Sequence, residues 1–84
     1  MKLSIIPSDG TVCKDGVCHI KLNLEGIPSN VHALQWYDSY GEIEFPSVFD
    51  GTKITKQQNK IITELPSWAN STLDKWEEAN TASQ

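Results

Sequence analysis

Two cysteines, two histidines and two glutamates set two residues apart are the groups in this 84-residue chain whose types and spacing could do chemistry. Cys13 and Cys18 bracket Lys14-Asp15-Gly16-Val17. Asp-Gly is a strong two-residue hairpin signal, because a type I′ turn needs positive φ at both central positions. With Asp15-Gly16 as the loop, Cys13 stands opposite Cys18 in a non-hydrogen-bonded pair, the kind whose side chains lie closest. A cross-strand disulfide is therefore within geometric reach. It would close only a short loop, and a cytoplasmic thiol pool would oppose it, so the expectation is two reduced thiols serving as small apolar residues. A C-x4-C spacing without a second cysteine pair is not a zinc pattern, and no metal site is expected.

His19 and His32 fall on the presumed polar faces of strands, which makes them ordinary surface or edge histidines. Glu42 and Glu44 share one face of a strand and could hold a cation or act as a general acid, but a solvated strand face explains them. No Gly-x-Ser-x-Gly elbow positions a nucleophile, and no glycine-rich loop could cradle a phosphate. The sequon Asn70-Ser71-Thr72 lies inside a predicted helix and is set aside. The expectation is a chain that is not an enzyme, with no catalytic residue and no cofactor. Trp36, Tyr37 and Tyr40 remain as candidate partner-binding residues. Aromatics presented at a turn suit an interface hot spot, and equally suit shielding the second face of a sheet; the sequence leaves both open.

Charge narrows the class further. Seven lysines and no arginine stand against 11 acids, a formal net charge of −4. Phosphate backbones need clustered Lys and Arg, and base edges are read most often by bidentate Arg, so nucleic acid is not an expected partner. No apolar run approaches the roughly 18–20 residues that span a bilayer, so no membrane is expected either. Met1-Lys2-Leu3-Ser4-Ile5-Ile6 stops at Pro7-Ser8-Asp9-Gly10, short of a signal peptide's apolar core, and secretion by that route is not expected.

The elements that must position these residues are mostly strands. Leu34 and Trp36 alternate with Ala33, Gln35 and Tyr37; after Asp38-Ser39-Tyr40-Gly41, Ile43 and Phe45 alternate with Glu42 and Glu44. That reads as a hairpin with one apolar face. Lys2–Ile6 forms a first strand, and the Asp-Gly hairpin joins 11–14 to 17–22, with Cys18, Ile20 and Leu22 on one face and His19 and Lys21 on the other. Residues 23–30 form a loop with Leu24 and Ile27 turned inward. Residues 46–51 form another loop, with Phe49 packing inward. Thr52–Lys56 reads as an edge strand guarded by its lysines, followed by a strand at 60–63. From Pro66 the period becomes helical, placing Trp68, Thr72, Trp76 and Ala79 on one stripe beside Leu73. The fold class is mainly β (α+β): a small antiparallel meander or barrel-like sheet of five to six strands with one C-terminal α-helix packed on it. One globular domain over 1–80 carries a flexible tail at 81–84, and the three tryptophans with Phe45 and Phe49 supply the core.

Taken together, Met1–Gly10, Val31–Trp36, Gly41–Phe45, Ile62–Ala69 and Trp76-Glu77 resemble a group of small bacteriophage proteins encoded beside tail-fibre genes in the tail module. The likeness is one of hydrophobic and turn residues over most of the chain. This sequence carries extra residues around Pro46 to Lys56, where those proteins run a shorter turn, and the cysteine pair is outside the shared pattern. The resemblance implies a non-enzymatic tail-fibre or baseplate accessory component, or a tail-fibre assembly factor. Its partner would be a tail-fibre or baseplate protein, bound at an exposed sheet edge or at the Trp36/Tyr37/Tyr40 end, with homo-oligomers compatible. It also implies residence in the virion tail or the host bacterial cytoplasm. The competing readings are a phage protein that binds and inhibits a bacterial protein, its negative charge suiting a basic target, and a small carbohydrate-binding module.

Overall fold

The Asp-Gly turn forms as its residue types require, with Asp15 at φ 49° and Gly16 at φ 88°. It belongs to a computed structural model that describes residues 1–49, 51–55 and 57–82. Along the chain run β1 (Lys2–Ile6), β2 (Thr11–Lys14), β3 (Val17–His19), β4 (Ala33–Tyr37), β5 (Gly41–Glu44), β6 (Val48–Phe49), β7 (Ile54–Thr55), β8 (Lys60–Ile62) and α1 (Ser67–Ala82). The main sheet is antiparallel, in the order β3-β2-β1-β4-β5-β8, and β6 pairs with β7 separately. The fold is therefore mainly β with one C-terminal helix laid on the sheet, as the alternation and the final helical stripe predict.

The strand order is more specific than a plain meander. β1 to β3 follow one another through tight turns, and the chain then returns over residues 20–32 to lay β4 on the other side of β1. That is Greek-key order. The return segment is tied down by Leu22, whose amide donates to the Gly10 carbonyl at 2.9 Å, and Leu22, Leu24 and Ile27 pack against the core. Gly10 sits at φ 62°, and a Cβ there would come within 2.5 Å of the Leu22 carbonyl oxygen. Only glycine allows that crossing.

Alternation sorts the two faces. Leu3, Ile5, Val12, Leu34, Trp36 and Ile43 meet Ala69 and Trp76 of α1 in one buried cluster. Each large apolar side chain so buried contributes on the order of 1.5–3 kcal/mol. Thr72 is buried among them, and its hydroxyl donates to the Trp68 carbonyl at 2.9 Å. The opposite face carries Ser4, Cys13, Gln35 and Glu42 in one cross-strand row.

Four expectations of local structure are corrected. The strand expected over 17–22 ends at His19, because Lys21 adopts φ 58° and turns the chain into the crossover; Ile20 is left 64% exposed. The strand expected over Thr52–Lys56 is reduced to Ile54–Thr55 and pairs with β6, off the main sheet; Lys56 lies outside the described residues. Phe49, expected in the core, is 69% exposed. Helix α1 lies against β2 and β3, toward the opposite edge of the main sheet from β8 and the arm. The helix also runs to Ala82, into the segment expected to be a flexible tail, whose last residues Ser83 and Gln84 lie outside the described residues.

β6 and β7 are nevertheless not a separate unit. In the β5–β8 ladder Gly41 pairs with Ile62 and Ile43 with Lys60; in the β6–β7 ladder Val48 pairs with Thr55 and Phe49 with Ile54. Every pair has the same sum of residue numbers, so one register runs from Gly41 to Ile62. The two ladders are the base and tip of one long hairpin arm. Pro46 lies in the gap between the two ladders. At the gap the Gln57 side-chain amide donates to the Pro46 carbonyl at 3.4 Å. The molecule measures 50 × 27 × 21 Å.

Candidate functional site

β5 has a distinct feature at each end. At its start, the turn from β4 places Tyr37 and Tyr40 side by side, their ring centroids 5.3 Å apart and tilted by 37°. The Tyr37 amide donates to the Tyr40 carbonyl at 2.7 Å, which closes a two-residue loop in which Asp38 takes φ 77°. Asp38 also accepts from the N-terminal ammonium of Met1. That ammonium holds the Asp38 carboxyl below its ordinary pKa, and the carboxylate raises the ammonium above its own. Tyr37 and Tyr40 are 41% and 46% exposed, so a rigid turn presents both rings outward. Trp36 does not join them. It points to the helix side and is buried, as a core residue must be in strict alternation with Tyr37. Of the three aromatic candidates, the structure brings together two.

At the far end of β5 the arm departs from the sheet. Phe49 and Ile54 are directly opposed across its tip and are 69% and 71% exposed; Val48 beside them is 46% exposed. At the arm's foot, between β5, β8 and the start of α1, lies a groove of about 460 Å³. Its apolar wall is made by Val31, Ile43, Phe45, Ile62, Leu65 and Trp68, with Lys60 and Glu64 among its polar lining. Composition alone placed Phe49 inside, and its exposure depends on how far the helix reaches along the sheet.

The groups singled out for chemistry are dispersed. Cys13 and Cys18 are opposed in the register, 4.0 Å apart at Cα, and joined as a disulfide. The structure thus differs from the expectation of free thiols and has the cross-strand bond that the turn geometry put within reach. His19 is also corrected. It is half-buried on the helix side, with its ring edge-on to Trp76 at 5.6 Å and Nε2 3.2 Å from the Asn80 side-chain oxygen. The signal was present in the hairpin register, which pairs His19 with the core residue Val12. Around the same indole, Trp76 Nε1–H donates to the Val17 carbonyl at 2.9 Å. Lys14 Nζ lies 5.0 Å from the Trp76 ring centroid and donates to Glu77 at 2.7 Å. His32 is exposed, and Glu42 accepts from the Asn59 side-chain amide at 3.5 Å. Among the described residues no group of three His, Cys, Asp or Glu side chains gathers to hold a metal ion, and no helix is long and apolar enough to cross a membrane.

Comparison with known proteins gives no relative: no family model matches the sequence, and no curated protein or solved structure is similar to it.

Proposed function

We propose that this chain is a non-enzymatic binding protein of a bacteriophage tail, either an accessory part of the tail fibre or baseplate or a factor that assists fibre assembly. The resemblance to small proteins encoded beside tail-fibre genes supplies the setting. The observation that carries the binding role is the Tyr37–Tyr40 pair, two outward rings fixed on a hydrogen-bonded turn at the end of the sheet. Tyrosines held this way offer large contact area at small cost in side-chain entropy, the property that makes such residues interface anchors. The fibre or baseplate partner meets this end of the sheet.

Co-expression with the adjacent fibre gene, followed by affinity capture, tests the reading. Capture of the fibre protein is expected, with loss of roughly tenfold or more in affinity for Tyr37→Ala combined with Tyr40→Ala, the scale of one interface hot spot. Capture unaffected by the double substitution removes the tyrosine end from the interface. Absence of any association with fibre or baseplate protein, in lysates and in purified particles, removes the tail assignment. Mass spectrometry of purified particles then separates a virion component, present in them, from an assembly factor, absent from them. Quenching of tryptophan fluorescence by glycans instead of fibre protein would move the reading to a carbohydrate-binding module.

A further inference from the structure

We infer that the Cys13–Cys18 bond is a redox switch on the helix: a thiol reductant that opens it releases the C-terminal half of α1 from the sheet. The sulfurs and the helix lie on opposite faces of the β2–β3 hairpin, and alternation interleaves their residues. Val12 belongs to the core, so Cys13 points away from the helix and Lys14 toward it. Across the register, Cys18 points away between Val17 and His19. These flanking residues form the socket of Trp76. Lys14 Nζ lies over the indole and binds Glu77, the Val17 carbonyl accepts from Nε1–H, and His19 meets the ring edge-on while its Nε2 reaches Asn80. The links Lys14–Glu77, Val17–Trp76 and His19–Asn80 thus all end on the hairpin that the disulfide ties from behind.

β3 is three residues long and stands at the edge of the sheet, with β2 as its strand neighbour. A ribbon that short is marginal by itself. The cross-link fixes its middle pair, and the helix contacts fix the pairs on either side, Lys14 with Val17 and Val12 with His19. Cross-linking and helix docking therefore favour one arrangement, β3 beside β2, and by linkage each strengthens the other. The release stops short of the first turns of α1, where Ala69 and Thr72 are buried independently of the hairpin's polar links. Cys18 is exposed and Cys13 half-buried on the face turned away from α1, so a dithiol reaches the bond in the folded chain. Its thiolate attacks Cys18 Sγ, the S–S bond breaks, and Cys13 leaves as a thiolate that takes a proton from water. The second thiolate of the reductant then attacks the mixed disulfide; Cys18 leaves and is protonated, and the reductant ends as a cyclic disulfide. Two electrons pass from the dithiol to the cysteine pair. The switch holds whatever partner meets the tyrosine end.

Amide hydrogen exchange read residue by residue by NMR, on the oxidised chain and on the chain held in excess dithiothreitol, tests the switch. Reduction is expected to speed exchange at 17–19 and 73–82 together by about 30-fold, the rate ratio equivalent to the ~2 kcal/mol of loop-closure entropy in so short a ring. β1, β4 and β5 are expected to stay better protected than 73–82 in the reduced chain, because the opening is local. Acceleration at 17–19 without 73–82 overturns the inference, since β3 then frays beneath a helix that stays docked. Exchange at 73–82 that coincides with β1 and β4 in both forms also overturns it, since the opening is then global. Cys13→Ser/Cys18→Ser, without reductant, should reproduce the reduced pattern; full oxidised-like protection at 73–82 in that variant counts against the switch. The reverse direction is read in Glu77→Gln/Asn80→Ala, which loosens the helix without touching the sulfurs. In glutathione buffers its bond should be half-reduced at a lower ratio of reduced to oxidised glutathione than in the wild type. An unchanged ratio overturns the coupling.

Discussion

Trp76 is where the helix is fastened, and its removal tests the whole arrangement of helix on sheet. The indole is 94% buried (6% exposed), its N–H donates to the Val17 carbonyl, His19 meets it edge-on, and Lys14 lies over its face. Cutting a buried Trp to Ala costs about 3–5 kcal/mol through lost transfer energy and the cavity left behind. The cation–π contact from Lys14, whose side chain is partly exposed, adds about 0.5–1 kcal/mol. Loss of the hydrogen bond adds little, because Val17 is 48% exposed and water can reach its carbonyl. A domain of this length has a total stability of roughly 4–12 kcal/mol. With a urea m-value near 1–1.5 kcal/mol/M, Trp76→Ala should lower the unfolding midpoint by about 2–6 M, enough to leave part of the population unfolded in water. Trp76→Phe keeps a ring in the site and should lose about half as much or less. Urea titration followed by far-UV circular dichroism reads both changes. An unchanged midpoint for Trp76→Ala would mean that α1 is not held on β2 and β3, and the core described above would be wrong.

Three smaller perturbations probe other joints. Gly41→Ala would place a Cβ 2.6 Å from the Gln35 carbonyl oxygen and 2.8 Å from the Trp36 ring, so a loss of about 1–3 kcal/mol is expected, read as a fall in thermal midpoint. Reducing the Cys13–Cys18 bond frees a loop of sequence separation 5, for which chain entropy predicts a loss of about 2 kcal/mol; denaturation with and without a thiol reductant checks it, and Cys13→Ser/Cys18→Ser should match the reduced form. The Met1–Asp38 pair should show as a carboxyl NMR titration of Asp38 with its inflection below the ordinary 3.8. Because that folded pKa is lowered, its small stabilisation is present above pH 3.8 and lost as pH falls through the folded value; the ammonium, raised from 8.0, contributes below pH 8.0 and loses its share as pH rises through its own folded value. Acetylating the amino terminus should return the Asp38 inflection toward its ordinary position.

Period and turn chemistry carried most of the fold. The alternation in Ala33–Tyr37 and Gly41–Glu44 specified a hairpin and its buried side, and Asp15-Gly16 specified a register to the residue. That register also held information not drawn from it, since opposing Cys13 to Cys18 necessarily opposes His19 to Val12 and turns the histidine toward the helix. The Greek-key return was not legible, because which edge β4 joins depends on the Gly10–Leu22 crossing, a close approach without local pattern. Phe49 illustrates a different limit. Hydrophobicity says that a ring gains by being covered, and does not say whether the cover comes from the same chain. The tyrosines were visible as a pair flanking a turn; the exclusion of Trp36 follows from alternation alone.

The interruption at Pro46 has a structural consequence for how the two ends of β5 differ. Strand alternation carries Ile43, Phe45 and Phe49 on one side of the arm, so an unbroken ladder would hold the tip as a rigid extension of the helix-side face. Pro46 falls in the gap between the two ladders, where the Gln57 side-chain amide donates to its carbonyl. The base of the arm continues the ladder of the main sheet, while the tip carries the separate β6–β7 ladder. The tyrosine turn has the opposite character, closed by a main-chain hydrogen bond next to a continuous ladder.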